Sequence, residues 1–184
     1  GLIFSIFYGL NLFGGDFELG LEAYKKDDYF KANEYFTKAC QDGINIACTI
    51  LGENYSSGNG VRQDYIKARE LFLESCNNGE IIGCFDLGVS YEFGKGVKQD
   101  YFKANELYKK ACDSENIKGC FNLGLLYFNG KGVKQDYFKA NELFKKVCNN
   151  GVAYGCNNLG VLYDDGYGVK QDKIKAKEFY GKAC

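Results

Sequence analysis

The sequence predicts an all-α protein, an α/α solenoid assembled from helix hairpins of 36 residues. Two cysteines eight positions apart recur four times, and the first cysteines of successive pairs are 36 residues apart. Apolar residues and a tyrosine follow each pair at helical spacing, as Leu87 and Tyr91 do. A fixed period of this length is typical of stacked supersecondary units, so each unit is interpreted as one helix–loop–helix repeat.

The composition excludes several classes of function. The 184 residues carry 23 basic and 24 acidic side chains, and a net charge of -1 gives no electrostatic case for binding nucleic acid. Histidine is absent, which excludes Ser-His-Asp and Cys-His catalysis and removes the usual imidazole ligands of catalytic zinc. We therefore predict no cofactor and no metal.

Eight of the nine cysteines are predicted to form disulfide bonds within the repeats. The first cysteine of a pair falls in the last turn of one helix and the second in the first turn of the next, so the two meet across an antiparallel hairpin. Only this local pairing repeats with the period. The alternative is a zinc site, which two cysteines eight apart without histidine fit poorly. The predicted bonds are Cys40–Cys48, Cys76–Cys84, Cys112–Cys120 and Cys148–Cys156.

Each repeat is interpreted as a helix A followed by a helix B. Helix A runs from about residue 45 to 57, and Gly58 ends it in a left-handed conformation. Helix B begins after Asp64, whose side chain is predicted to cap the free amides of the first turn. Gly52 lies inside helix A, where glycine costs about 1 kcal/mol relative to alanine, so its recurrence predicts a close crossing of two helices. The tyrosines predicted to lie in the core are Tyr55, Tyr91, Tyr127 and Tyr163.

The amino-terminal part departs from the pattern. Residues 1–18 are predicted to precede the repeat domain, which covers residues 19–184 and starts with a hairpin whose loop to Asp28 is four residues shorter. Gly1 to Phe13 is apolar, uncharged and too short to span a bilayer as a helix. It is interpreted as the remnant of a secretory signal peptide, with an apolar cap on the first repeat as the alternative. Export would explain the paired cysteines, because disulfides persist in oxidising compartments.

The repeat resembles the Sel-one-like repeat, a relative of the tetratricopeptide repeat. Its pattern stands here as Leu87-Gly88, Tyr91, Gly94, Gly96-Val97, Asp100 and Lys103-Ala104. With a cysteine pair in every unit, residues 19–184 resemble the Helicobacter cysteine-rich protein family and its Campylobacter relatives. The resemblance implies a right-handed superhelix of disulfide-bridged hairpins and a secreted or periplasmic bacterial protein. It also implies either weak penicillin binding with slow β-lactam hydrolysis or a secreted factor that meets host cells.

The residues themselves do not identify a β-lactamase. A serine enzyme of the common kind needs Ser-x-x-Lys and Lys-Thr-Gly. No serine here has lysine three positions later, and Lys-Thr-Gly is absent. A slow β-lactam hydrolase is therefore the alternative hypothesis, and no catalytic residue is predicted. The serines are Ser5, Ser56, Ser57, Ser75, Ser90 and Ser114.

By analogy with tetratricopeptide repeats, the predicted binding surface is the concave face of the A helices, at positions that vary between repeats. Aromatic rings there would hold apolar side chains of an extended peptide, and asparagines would bond its backbone. The predicted partner is a protein, a peptide or a peptidoglycan fragment. The alternatives are packing between repeats for the phenylalanines, solvent exposure for the asparagines, and a structural spacer without a ligand. The predicted binding residues are Phe85, Asp86, Lys118, Phe121, Asn122, Tyr154, Asn157 and Asn158.

Overall fold

A computed structural model describes residues 15–183, and within that range the chain forms ten α-helices and no strand. The predicted all-α repeat of helix hairpins is confirmed. The apolar run of residues 1–13 and Cys184 lie outside the described residues. The A helices are α1 (Gly15–Lys25), α3 (Asn45–Ser57), α5 (Ile81–Phe93), α7 (Ile117–Asn129) and α9 (Ala153–Asp165). The B helices are α2 (Tyr29–Gln41), α4 (Tyr65–Asn77), α6 (Tyr101–Asp113), α8 (Tyr137–Asn149) and α10 (Lys173–Ala183).

The chain divides into two compact units, a first unit that ends at Gly83 and a second unit that begins at Cys84. In the first unit each of the helices α1 to α4 contacts the next one along the chain. Phe17, near the start of α1, is buried there, and its ring centroid lies 6.0 Å from that of Phe36. In the second unit α6 to α10 contact one another in the same sequential way. Each unit therefore builds its core between consecutive helices.

The loop from helix A to helix B is closed by hydrogen bonds that recur in every long loop. Gly58 ends α3 with φ of 80°, a left-handed conformation that suits glycine. The Gln63 side chain donates to the Ser56 carbonyl at 2.8 Å. The Asp64 carboxylate then accepts from the backbone amides of residues 66 and 67, which confirms the predicted cap. The same glutamine bond recurs at Gln99, Gln135 and Gln171, and the aspartate cap at Asp100, Asp136 and Asp172.

The glycine inside each A helix lies directly against an aromatic ring of its B helix. A Cβ atom on Gly124 would lie 2.7 Å from Cε1 of Phe144, which is far inside van der Waals contact. Gly88 faces Tyr108 in the same way, also at 2.7 Å. The predicted close crossing is confirmed, and the aromatic residue that requires it was not assigned from the sequence.

The eight cysteines within residues 15–183 form disulfide bonds. The three bonds whose geometry is described have Cα–Cα distances between 4.4 and 4.8 Å, and Cys76 and Cys84 are also disulfide-bonded. In the first unit the two sulfurs of one bond lie within 4.8 Å of the Glu74 carboxylate. Sulfurs joined to each other are not the thiolates that zinc binds, so the disulfide interpretation replaces the zinc alternative there. The three described bonds are Cys40–Cys48, Cys112–Cys120 and Cys148–Cys156.

The tyrosine column of the A helices packs against the core, as predicted, for example at Tyr55, Tyr91 and Tyr127. These rings are half-buried at the edge of the core, and the lysine at the third position of α4, α6, α8 and α10 lies over the ring. In the first unit the Lys67 ammonium is 4.5 Å from the Tyr55 ring centroid. Such cation–π contacts contribute about 0.5–1 kcal/mol at exposed sites. The pairs in the second unit are Lys103 with Tyr91, Lys139 with Tyr127 and Lys175 with Tyr163.

Candidate functional site

The eight predicted binding residues all lie on the A helices α5, α7 and α9 of the second unit. Phe121 of α7 and Tyr154 of α9 contact each other, with ring centroids 4.3 Å apart. Tyr154 retains 41% exposure, so this aromatic pair has a solvent-facing side. Phe85 lies in the preceding repeat, where its ring centroid is 5.7 Å from that of Tyr108.

The phenylalanines have a packing role as well as an accessible face. The Phe121 ring centroid is 5.8 Å from that of Phe144 on its own B helix, and the same ring contacts Tyr154 of the next repeat. Phe121 therefore joins two repeats, as the packing alternative proposed. It is nevertheless only half-buried, as is Phe85. Fixed aromatic rings with one open face lose little side-chain entropy when a ligand covers them.

The asparagines are oriented by contacts within the protein. The Asn158 amide donates to the Tyr154 carbonyl one turn earlier, at 2.8 Å. The Asn122 side chain hydrogen-bonds the hydroxyl of Tyr108. Asn157 and Lys118 are exposed. The amides that were predicted to bond a ligand backbone are thus already held in place, which favours a preorganised surface over a mobile one.

A polar cluster that the sequence analysis missed lies beneath this surface. Tyr108 is fully buried, and its hydroxyl donates to the Glu92 carboxylate at 2.5 Å. Burial first, and then the bond to Glu92, raise the pKa of Tyr108 well above its ordinary value of 10.0, and the nearby charge of Asp86 adds to the effect. Two carboxylates and the Asn122 amide therefore converge on one phenol.

The sequence contains the pattern that identifies this cluster. One position of helix A and one position of helix B vary together from repeat to repeat. Where helix B carries tyrosine, helix A carries a carboxylate, as Tyr108 with Glu92 and Tyr180 with Asp164. Where helix B carries phenylalanine, helix A offers no carboxylate at that position. A buried hydroxyl needs a hydrogen-bond partner, and a phenyl ring does not. The pairs without a carboxylate are Phe72 with Ser56 and Phe144 with Phe128.

Replacing Tyr108 by phenylalanine is expected to lower the free energy of unfolding by about 1–2 kcal/mol at pH 7, because the Glu92 carboxylate loses its donor. Urea denaturation would measure the loss. The double variant Tyr108→Phe, Glu92→Ser reproduces the Phe72 and Ser56 pair of the preceding repeat. It should recover part of the stability, and a double variant less stable than the single one would contradict the assignment.

The same phenol predicts a pH dependence. Because the pKa of Tyr108 is raised in the folded protein, its contribution is fully present below the unfolded value near pH 10 and declines as the pH rises above it. The melting temperature of the wild type should therefore fall more steeply above pH 10 than that of Tyr108→Phe. Thermal melts from pH 8 to pH 12 would show equal slopes if the hydroxyl were solvated.

The second unit also separates its charges between the two kinds of helix. Its A helices, α5, α7 and α9, carry four acidic residues and one lysine. Its B helices, α6, α8 and α10, carry ten lysines and four acidic residues. The Lys173 ammonium contacts the Asp164 carboxylate at 2.8 Å, so one acidic residue of the A helices is already paired. The acidic A helices are therefore suited to a basic partner, and the lysine-rich B helices to an acidic one.

Two buried serine hydroxyls, those of Ser75 and Ser90, are engaged with the protein itself. Ser75 is buried and lies 2.6 Å from the Thr49 hydroxyl and 3.0 Å from the Asn45 carbonyl. Ser90 donates to the Asp86 carbonyl one turn earlier at 3.0 Å. A serine nucleophile is activated by an adjacent base, and backbone carbonyls do not supply one. These bonds explain the two serines as parts of the helix packing.

Across residues 15–183, ten helices form successive hairpins, with a glycine–aromatic crossing in each and a closed long loop in four of them. This arrangement defines an α-helical tandem-repeat protein. The Sel1 repeat matches the chain five times, at residues 8–44, 45–80, 81–116, 117–152 and 153–184. The chain belongs to the Sel1 repeat family. The predicted resemblance to Sel-one-like repeats is thereby confirmed.

The chain is also similar to cysteine-rich proteins of Helicobacter pylori. It is 34% identical to cysteine-rich protein B, with 72% of this chain and 95% of that one covered and a TM-score of 0.57. It is 50% identical over 44 residues to HcpE, whose name describes a candidate beta-lactamase. That match spans 24% of this chain but only 12% of HcpE.

Two solved structures match the fold over most of the chain. A protective antigen of uropathogenic Escherichia coli has a TM-score of 0.86 at 29% identity, with 91% of this chain and 37% of that one covered. A Sel1 repeat protein of Oxalobacter formigenes has a TM-score of 0.81 at 27% identity, with 89% and 68% covered. Among residues 15–183, no helix is long and apolar enough to cross a bilayer.

Proposed function

We propose that this protein is a recognition module that binds a peptide segment of another protein on the A helices of the second unit. The observation that carries the proposal is the Phe121–Tyr154 pair, two fixed aromatic rings in contact at 4.3 Å with an exposed side. Aromatic residues held in this way supply much of the binding energy in protein interfaces. Binding to other proteins is also the typical role of Sel1 repeats.

The chemistry around the aromatic pair defines the peptide that would fit. An apolar side chain would lie against Phe121 and Tyr154, and the Asn157 and Asn158 amides are near enough in the sequence to meet its backbone. The A helices of the second unit carry four acidic residues and one lysine, and Asp165 is the exposed one among the acidic residues. A basic residue beside the apolar one would therefore be favoured over an acidic one, chiefly through a faster association.

We also propose that the protein works outside the cytoplasm. Its cysteines are oxidised in pairs, and such bonds persist in oxidising compartments and are rare in the cytosol. The similarity to the cysteine-rich proteins of Helicobacter pylori supports the same location. Hydrolysis of β-lactams is supported only by the names of relatives such as HcpE, so it is not the function proposed here.

Selection of random peptides on the oxidised protein would test the A-helix surface. Phe121→Ala with Tyr154→Ser is expected to weaken the selected peptides at least about tenfold, because the substitutions remove the aromatic contacts. Fluorescence anisotropy would give the dissociation constants. Phe102→Ala, on an exposed B-helix position, is the matched control and should bind as the wild type does. Peptides that bind the aromatic variant and the wild type equally would contradict the proposed site.

A further inference from the structure

An exposed apolar side chain stands at the second residue of each B helix in the second unit. Phe102, Phe138 and Ile174 are 72%, 73% and 74% exposed, so none of them serves a core. Phe102 and Phe138 line a hollow of about 1000 Å³ together with Tyr127. Ile174 lines a hollow of about 610 Å³ one repeat further along. These hollows contain none of the residues predicted to bind a ligand.

Basic residues flank each of these apolar side chains at two fixed positions, four residues before and one residue after. Lys134 and Lys139 line the larger hollow, and Lys170 and Lys175 line the smaller one. We call the three apolar residues and their flanking lysines the apolar-basic ridge. The lysines of the ridge are Lys98, Lys103, Lys134, Lys139, Lys170 and Lys175.

The lysines of the ridge do not all have a structural role. The Lys139 ammonium lies 4.9 Å from the Tyr127 ring centroid and 3.9 Å from the Asp136 carboxylate, so it is partly engaged. Lys134 is exposed and lies at the rim of the hollow. Glu106 also lines the hollow and opposes the positive charge. The capping aspartates Asp100, Asp136 and Asp172 lie between the flanking lysines, so the ridge itself carries six lysines against three aspartates.

The ridge is uniform, whereas the A-helix surface varies. Each repeat of the second unit presents the same bulky apolar residue with the same two lysines. The first unit shows the feature separately, at Phe30 and Ile66, which are also exposed. A peptide would have to repeat its own sequence in step with such a surface. A partner whose surface is chemically the same everywhere can bind the ridge without any such repeat in its sequence.

We propose that the apolar-basic ridge binds the surface of an anionic phospholipid bilayer. The side chains of Phe102, Phe138 and Ile174 would enter the interfacial layer, and the lysines would meet the negatively charged headgroups. The excess of lysines over aspartates in the ridge is complementary to such a surface. This binding is peripheral and uses B helices, so it is independent of the peptide site proposed on the A helices.

Co-sedimentation of the oxidised chain with vesicles would test the proposal. Binding to phosphatidylcholine vesicles with about one third phosphatidylglycerol should be at least about tenfold stronger than to phosphatidylcholine alone, and salt should weaken it. Replacing all three apolar residues by serine, or Lys98, Lys134 and Lys170 by glutamine, should each lower the partition coefficient about tenfold or more. The replaced side chains are exposed, so unchanged melting temperatures would show that the variants fold.

A control separates this surface from the peptide site. The variant Phe121→Ala with Tyr154→Ser should bind vesicles as the wild type does. Absence of binding to the anionic vesicles would overturn the proposal, as would equal binding of the serine variant. Capture of polyglutamate without vesicle binding would overturn it in favour of an acidic macromolecule. Self-association that the serine substitutions abolish, again without vesicle binding, would overturn it in favour of a second copy of this chain.

Discussion

Removal of one disulfide bond, in the double variant Cys112→Ala, Cys120→Ala, is expected to lower the free energy of unfolding by about 2.5 kcal/mol. The bond joins residues eight positions apart, and closing so short a loop restricts the unfolded chain. For a chain of this size the loss corresponds to a melting temperature lower by about 5–10 °C. Both sulfurs are buried, so the variant also loses packing contacts.

Differential scanning calorimetry with and without reducing agent would measure the effect. Reduction of the wild type should lower its melting temperature by more than the double variant loses, because further bonds open. Reducing agent should also have less effect on the variant than on the wild type. An unchanged melting temperature of the wild type under reduction, together with alkylation of its oxidised form, would contradict the disulfide framework.

Local features of the fold were predictable from the sequence because their physical causes are local. Gly58 is needed where the helix ends in a left-handed conformation, and Asp64 where backbone amides lack partners. The cysteine pairs are eight residues apart and bridge consecutive helices, so the period alone selected their pairing. Residues within one turn or one short loop were enough to specify each of these features.

The candidate site was less predictable because its contacts join distant positions. Tyr108 and Glu92 are sixteen residues apart, and their bond exists only because helices A and B cross at Gly88. The degree of burial of Tyr91 depends on Lys103, which lies over it at 5.0 Å. Neither the Tyr108–Glu92 bond nor the Lys103–Tyr91 contact can be predicted from the spacing of residues within a single helix. Comparison of paired columns between repeats would have identified the first of them.

The apolar-basic ridge shows a different reason for a missed feature. Phe102 and Phe138 occupy the same position in successive repeats, so the sequence displayed the column plainly. An apolar residue near the start of a helix is usually part of the core face. Ala104 and Tyr108 occupy that face here, which leaves position 102 pointing to solvent. Tertiary packing fixes which face of helix B turns toward the core, and that orientation leaves Phe102 exposed.

Gly124→Val is expected to lower the free energy of unfolding by about 3 kcal/mol, because it adds a side chain where Phe144 already fills the space. The added Cβ would lie 2.7 Å from Cε1 and 3.0 Å from Cδ1 of the ring, and Phe144 is fully buried. The ring also lies against Phe121, with centroids 5.8 Å apart, so its movement would disturb the proposed peptide site. The helix propensity of valine, slightly better than that of glycine, offsets only a few tenths of a kcal/mol.

Gly181 provides the matched control, because a Cβ there meets no atom within 4 Å. Gly181→Val should change the free energy of unfolding by less than about 0.5 kcal/mol. The double variant Gly124→Val, Phe144→Leu should be more stable than the sum of the two single losses, because the smaller side chain leaves room for the added one. Urea denaturation of the four variants would measure this coupling. Additive losses would mean that Gly124 is required for a reason other than the Phe144 ring, since distant and independent sites add.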